Sequence, residues 1–504
     1  MTSADLVALL PLIFVGGAAV LVMIAVAVRR CHFVAAALAV AGLAAGLVSL
    51  RCACTMEPCE VTPLLVIDRF AQFYMGLVFS AAIAVALLSY GYLAAHDCRR
   101  EEYYILVLLA TLGSAVLVAA THFAAFVLGL EVLSVSLYGL VAYVPARTKS
   151  VEAGLKYLVL AGTSSAFLLF GMALHYGATG RMDFDLAGWH QPWRWEGAVL
   201  LSLVGVVMMI VGIGFKLGVV PFHLWTPDVY EGAPAPVTAF VATVSKGAVL
   251  ALLLRLFAQV NVQEGTPLAV IFAVIAIASM GAGNLLALLQ NNVKRMLAYS
   301  SISHLGYLLV AFLAGGDRGV TAATFYLVAY FVTTLGAFGV ITLLSTADRE
   351  ADRLEDYRGL ARRRPVLAGV FTAMLLSLAG MPLTAGFVGK FLILSSGVGA
   401  TLWTLVLVMA GASVVGLFYY LRVVMEMYKQ PESRAERAER APSGPAAEAA
   451  GYFPPATSDP RAATSLSLAG GIVLMALVLT LVWLGVYPGP LLGIIDSVAA
   501  AIGG

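Results

Sequence analysis

An all-α polytopic membrane protein of about fourteen transmembrane helices is predicted by three features of this chain. Its 504 residues are 61% hydrophobic and only 12% charged, against about half apolar and about a quarter charged in ordinary soluble domains. Its mean hydropathy is +0.95, and long apolar blocks fill most of its length. At about 20 residues per span plus a short connection, the chain holds roughly a dozen or more helices. That leaves no room for a large soluble catalytic domain. The net charge of +2 is scattered between apolar blocks and offers no basic face for nucleic acid.

The blocks fall at roughly 6–28, 33–50, 70–95, 103–120, 123–144, 154–176, 197–220, 234–259, 268–290, 296–314, 320–344, 366–398, 400–428 and 465–487. The first reads as a retained span: Asp5 stands where a signal peptide carries basic residues, and the apolar run is too long. Lysine and arginine set the orientation. The connections with Arg29/Arg30, Arg99/Arg100, Arg147/Lys149, Lys294/Arg295, Arg349 to Arg364 and Arg422 to Arg461 hold about twenty basic residues. The opposite set has only Arg51, Arg69, Arg181, Arg194 and Arg318. The first set is therefore expected in the cytoplasm and both termini on the outer side.

The same reading places Cys52, Cys54 and Cys59 in one outer connection, where a disulfide, free thiols or, less favoured for want of a fourth ligand, a metal site are all open. With Cys31 and Cys98 these make five cysteines in no C-x-x-C, haem or iron–sulfur pattern, so no redox centre is evident in this chain. Two cytoplasmic connections are long. Residues 345–365 mix both charge signs and read as a solvated turn or short surface helix; residues 429–464, rich in Pro, Ala, Glu and Arg, read as a flexible linker.

Five basic residues lie inside apolar blocks: Lys156, Lys216, Lys246, Arg255 and Lys390. A lysine at mid-membrane costs about 2.5–3.5 kcal/mol on insertion scales, so it is kept where it faces a partner or water. Lys246, in TVSKGAVL, and Glu131, in FVLGLEVLSVSLYG, lie near the middle of their blocks, too deep to snorkel, and are functional candidates. Lys156 and Arg255 sit nearer block ends, where snorkelling competes and Lys156 can pair with Glu152 one turn away. Lys216, in GIGFKLGVVPFHLW, and Lys390, in GMPLTAGFVGKFLIL, stand beside glycines and a proline that weaken helix hydrogen bonding, so both helices are expected to be broken. The block 366–398 is also too long for one straight span, at about 1.5 Å per residue against a core of about 30 Å. Two interrupted helices running in opposite directions are the trace of an inverted repeat around a midplane site.

A buried lysine loses its charge readily, and a neighbouring carboxylate such as Glu131 restores it, which makes the pair a proton switch. Lysines joined by water and hydroxyls can then pass protons with no redox group. His304, in the polar run YSSISHLGYL, either extends that row or is a hydrogen-bonded packing residue.

The runs PFHLWTPDVYEGAPAPVTAFVATVSK, GLEVLSVSLYGLVAY, NVKRMLAYSSISHLGYLLVA and SLAGMPLTAGFVGKF together resemble the antiporter-like subunits of respiratory complex I, the NADH-quinone oxidoreductase, and their Mrp-type cation/proton antiporter relatives. The opening LVALLPLIFVGGAAVLVMI, the run LVIDRF and Lys390 narrow the likeness to a complex I subunit that ends after the fourteenth span. The resemblance implies two inverted five-helix repeats, each with a broken helix: an N-terminal three-helix segment at 1–100, repeats at 101–260 and 261–428, the linker at 429–464, and a last transmembrane helix and tail at 465–504. It carries over Glu131 and Lys216 as the coupled pair of the first half, Lys246 as the linking lysine, Lys390 as the lysine of the second half and His304 as part of the central axis. His223 and Asp228 match motif positions at the cytoplasmic end of the broken helix and are expected to be structural or to serve proton uptake.

The implied function is proton translocation in the membrane arm of a bacterial inner membrane complex. NADH, FMN, iron–sulfur clusters and quinone would be bound by partner subunits. The implied partners are other membrane-arm subunits, including a second antiporter-like subunit and the small membrane subunits, within the lipid bilayer. Two alternatives stand beside it: an Mrp-type Na⁺ or K⁺/H⁺ antiporter subunit, and a structural subunit with a vestigial polar axis.

Overall fold

Apolar blocks become helices because a backbone in lipid must satisfy its own hydrogen bonds. The computed structural model describes residues 3–53, 59–96, 98–184, 197–258, 267–346, 349–430 and 468–503. In chain order the first seven helices are α1 (Ser3–Val28), α2 (His32–Ala53), α3 (Arg69–Ala95), α4 (Glu102–Ala119), α5 (Phe123–Val141), α6 (Thr148–Thr179) and α7 (Gly197–Leu217). A short α8 (Trp225–Gly232) follows, then α9 (Ala235–Leu256), interrupted by a π turn at Val241–Ser245. The second half holds α10 (Pro267–Leu288), α11 (Val293–Ala314), α12 (Gly316–Leu344), the one-turn α13 (Leu360–Arg363), α14 (Pro365–Ala379), α15 (Ala385–Gly399), α16 (Trp403–Tyr428), α17 (Leu468–Val486) and α18 (Gly489–Gly503).

Among the described residues 13 helices are long and apolar enough to cross a membrane. The block 366–398 forms two shorter apolar helices, α14 and α15, divided at 380–384, as its length requires. Among the described residues the departure from the all-α expectation is small. Strands Cys59–Thr62 and Leu65–Ile67 pair antiparallel in the connection before α3. The expected tail after the last span is the helix α18, packed on α3 and α12, with Thr321 donating to Asp496 at 3.0 Å. The side chains of Cys54 and Cys59, and most of the linker 429–464, lie outside the described residues.

Burial locates the core. The apolar windows of α9, α11 and α12 are 100%, 94% and 89% buried, against 28% for α16 and α17, so the first three form the middle of the bundle. Small residues let backbones meet. Where α6 crosses α7, a methyl on Gly171 would fall 2.4 Å from the Gly205 carbonyl oxygen, and one on Gly205 would fall 2.7 Å from that of Gly171.

The connection 345–365 is not simply solvated, contrary to the reading of its composition. Glu350 is 2% exposed and Tyr357 is fully buried, and Glu350 meets two cations on other segments, Lys294 and Arg147.

Candidate functional site: a buried axis of lysines and hydroxyls

The two broken helices stop in the same way. At the end of α7, Gly218 at φ +73° donates to the Gly214 and Phe215 carbonyls, both at 2.9 Å, and Val219 donates to Gly214 at 3.1 Å. At the end of α14, Gly380 at φ +86° donates to Leu376 at 3.1 Å and Ser377 at 3.0 Å, and Met381 donates to Leu376 at 3.0 Å. This is the left-handed glycine cap that ends a helix abruptly. Each break brings the negative end of a helix dipole into the protein interior, where a cation is favoured. Lys216 stands in the last turn of α7 itself. Lys390, on α15, reaches back to the last residue of α14, donating to the Ala379 carbonyl at 2.9 Å. Thus the predicted interruption follows Lys216 but precedes Lys390.

Lys216 is 3% exposed and donates to Ser134 Oγ at 2.6 Å. Ser134 in turn donates to the Leu130 carbonyl at 2.5 Å. Glu131, three residues before Ser134 on α5, accepts from Ser165 of α6 at 2.6 Å. The expected pair is therefore close without direct contact: among the described residues, Glu131 forms no ion pair with Lys216 within 4 Å, and a serine takes the ammonium.

Lys246 is 1% exposed and donates to Ser301 Oγ at 2.7 Å. It lies 5.2 Å from the ring centre of Tyr230 and 5.9 Å from that of Trp225, within cation–π range. Tyr330 donates to the same Ser301 oxygen at 2.8 Å. One turn on, His304 uses both ring nitrogens, Nδ1 with the Tyr326 hydroxyl at 2.5 Å and Nε2 with the Tyr420 hydroxyl at 3.0 Å. A neutral imidazole has one donor and one acceptor nitrogen, so one tyrosine accepts from it while the other donates. Tyr420 also bonds Ser300. Lys390, 7% exposed, lies 5.3 Å from the ring centre of Tyr307, which packs on His304, and donates to Ser413 at 2.9 Å. Asn284 bridges Ser303 at 2.6 Å, Tyr307 at 3.3 Å and Tyr419 at 3.0 Å.

The structure thus brings Lys246, His304 and Lys390 to one group of hydroxyls and rings on α11 and α12, and sets Glu131 and Lys216 with Ser134 and Ser165 in a second group beyond the Tyr157 and Trp225 rings. Sequence reasoning missed their neutral members. Ser300, Ser303 and Tyr307 recur with the predicted His304 at helical spacing on one face of α11, and Tyr326 and Tyr330 do so on α12. That periodicity was the available signal.

Other predicted residues settle elsewhere. Lys156 pairs with Glu152 at 2.8 Å and with Asp228 at 2.9 Å, and Asp228 also meets Arg295 at 2.8 Å. Burial alone would raise the Asp228 carboxyl, but hydrogen bonds from Lys156 and Arg295 hold it below its ordinary value. Lys149, Glu152, Lys156, Asp228, Glu231 and Arg295 line a cavity of about 150 Å³ at the end of the bundle bearing the basic connections. His223, in the turn before α8, is half-buried, with Nδ1 unpartnered among the described residues. Arg255 does not snorkel. Its guanidinium forms a fork on Asp68 at 2.7 and 2.9 Å, and Asp68 caps α3 through the Ala71 amide at 2.7 Å.

A second buried ionic group was not foreseen. Lys294, fully buried, donates to Glu350 at 2.6 Å and to the Ala233 carbonyl at 2.5 Å. Glu350 also takes Arg147 at 2.7 Å, the Tyr92 hydroxyl at 2.6 Å and the Ala235 amide at 3.0 Å. Burial would raise this carboxyl, yet the charges of Lys294 and Arg147 prevail and hold it at about 2.

A bundle of membrane helices with two interrupted spans and a buried cationic axis is an antiporter-like membrane fold. Residues 120–416 match the NADH:quinone oxidoreductase/Mrp antiporter transmembrane family, and the chain belongs to that family. It is 48% identical over 505 aligned residues to NADH-quinone oxidoreductase subunit N of Ectopseudomonas mendocina (strain ymp), spanning 99% of this chain and 97% of the relative. A chain of respiratory complex I from Thermus thermophilus with bound aureothin superposes with TM-score 0.77 at 32% identity, over 97% of this chain and 99% of that one. A chain of the Mrp complex of Dietzia sp. DQ12-45-1b shares the fold, with TM-score 0.82 at 22% identity over 100% and 98% of the two chains.

Proposed function

We propose that this chain is a proton-translocating subunit of the membrane arm of a bacterial NADH-quinone oxidoreductase, with Glu131, Lys216, Lys246, His304 and Lys390 as its proton relay. One observation carries the reading. Three ammonium groups are buried in the bundle, and each is held only by hydroxyls, a carbonyl and ring faces, among the described residues. Such a group keeps or sheds its proton as the surroundings change, because no bound counter-charge fixes it. The serine and tyrosine hydroxyls beside these lysines both donate and accept, so they can pass a proton either way.

Residues 101–260 and 261–428 would be the two halves of the pump, joined at Lys246. NADH, FMN, iron–sulfur clusters and quinone would be handled by partner subunits, and redox energy would reach this chain as charge or motion from neighbouring membrane subunits. The bacterial inner membrane is the proposed location, with both termini outside.

Lys216→Met, assembled in the complete complex and reconstituted in liposomes, should lower the protons moved per electron passed from NADH to quinone. A wild-type ratio would overturn the reading. Sodium- or potassium-driven proton flux in the absence of NADH and quinone would instead identify a cation antiporter.

A further inference from the structure

The connection 345–365 commits its acids before its last arginines arrive. Glu350 is taken by Lys294 and Arg147, Asp356 by Arg349, and Asp352 accepts from the Asn292 amide at 2.9 Å. Glu355, exposed, forms no ion pair within 4 Å among the described residues. Then Arg362, Arg363 and Arg364 follow one another, and the next acid along the chain is Glu426, near the end of α16. That carboxylate is already shared by Lys429 at 2.6 Å and Arg358 at 3.8 Å.

The three arginines therefore meet no carboxylate among the described residues. Arg362 is exposed, and its guanidinium makes no hydrogen bond or ion pair there. Arg364 gives one long bond, to the Leu343 carbonyl at 3.5 Å. Arg363, between them, donates to the Asp356 and Arg358 carbonyls at 3.0 and 2.7 Å.

Their position in the fold says what they face. Gly359, at φ +68°, donates to the Glu426 carbonyl at 3.3 Å, and α13 packs on both α14 and α16, so the arginines sit where those two helices reach the end of the bundle bearing the basic connections. Just inward, large apolar side chains are exposed: Val366 in the first turn of α14, and Met425 and Tyr428 in the last turn of α16. Val414 and Phe418 continue the exposed face of α16 toward the middle of the span. Guanidinium groups at the rim of an apolar wall suit an anionic phospholipid, whose phosphodiester oxygens accept from arginine while its acyl chains cover the wall. A tyrosine at that level, apolar in body and polar at its tip, belongs at the headgroup boundary. A small soluble anion would leave the wall bare. The linker is no substitute either, because residues 429–464 contain five acidic and five basic residues and bring no net negative charge.

We propose that Arg362 and Arg364, with Arg363 between them, bind the phosphate of an anionic membrane phospholipid whose acyl chains lie along α14 and α16. The test uses the complete complex in phosphatidylcholine nanodiscs. A photoreactive phosphatidylglycerol should label peptides from the first turns of α14 and the last turns of α16 in preference to a photoreactive phosphatidylcholine. Arg362→Gln should weaken that labelling about fivefold, the share of one arginine at a lipid surface, and Arg362→Lys should recover most of it. Equal labelling by the two lipids in wild type overturns the proposal, as does wild-type labelling in Arg362→Gln. No labelling by either lipid places a neighbouring subunit on this face and overturns it as well. Competition by inorganic phosphate, beyond that of chloride at the same ionic strength, would assign the arginines to a soluble anion instead. Should Arg362→Gln fail to assemble, the comparison of the two lipids in wild type decides alone.

Discussion

Lys246 and Lys294 are equally buried and differ in company. Lys246 has a serine hydroxyl and two ring faces. Lys294 has a carboxylate at 2.6 Å, which Arg147 and Tyr92 share. The difference separates a charge that can leave from one that is fixed. Fully paired, the Lys294–Glu350–Arg147 group behaves as a clasp joining the first turn of α11 to the connections before α6, α9 and α13. Partly paired groups along the axis are free to change state. Four measurements test that division.

The largest effect should come from Glu350→Ala, which strands Lys294 and Arg147 in the interior. A loss of about 3–5 kcal/mol is expected from removing one partner of a buried pair, seen as poor assembly of the subunit and early thermal unfolding in detergent. Lys294→Met should cost less, because Arg147 still neutralises Glu350. If Glu350→Ala unfolds like wild type, the clasp is not structural.

Lys246→Met should show the opposite profile. No carboxylate is stranded and only Ser301 loses a donor, so a stability loss of about 1–3 kcal/mol is the ceiling, while proton transfer falls sharply. Assembly should be near normal, measured as subunit content of the purified complex.

Acid should act on the clasp first. Glu350 titrates at about 2 in the folded chain, below its ordinary value of 4.5. Its stabilisation is therefore complete above about pH 4.5 and is lost as pH falls through that value toward 2. Melting temperature between pH 6 and pH 3 should drop more for wild type than for Glu350→Gln, which has no carboxyl to protonate there.

The smallest effect belongs to Asp228→Asn. The group around Lys156, Asp228 and Arg295 is partly exposed, with side-chain exposures of 45%, 35% and 27%, so screening reduces it to about 1 kcal/mol or less. High salt should abolish what difference remains in melting temperature. A change as large as that of Glu350→Ala would mean that exposure does not separate the two ionic groups.

The fold was legible because hydropathy reports directly on what lipid accepts: thirteen of the fourteen blocks correspond to helices long and apolar enough to cross a membrane, and the other to two shorter apolar helices. Lys216, Lys246, Lys390 and Glu131 were legible because ionisable residues in apolar blocks stand out. Their partners were not. Ser134, Ser301 and Ser413 resemble the many membrane-helix hydroxyls that bond their own backbone, and only tertiary contact distinguishes them. Glu350 was invisible for a different reason: it lies in a polar stretch, 56 residues from Lys294, and composition cannot tell a carboxylate in water from one turned inward. The helix at Lys390 was read correctly as broken, while the side of the lysine on which the break falls was not legible, since glycine and proline mark where a cap can form without saying which side carries the lysine.

The π turn at Val241–Ser245 immediately precedes Lys246. A π turn carries one residue beyond the α count, so it sets the angular phase of everything after it on α9. Winding the same residues as an uninterrupted α-helix would turn Lys246 by about 100° around the helix axis, off Ser301. The lysine would keep its depth and lose its address, so where it points depends on a single surplus residue in the winding.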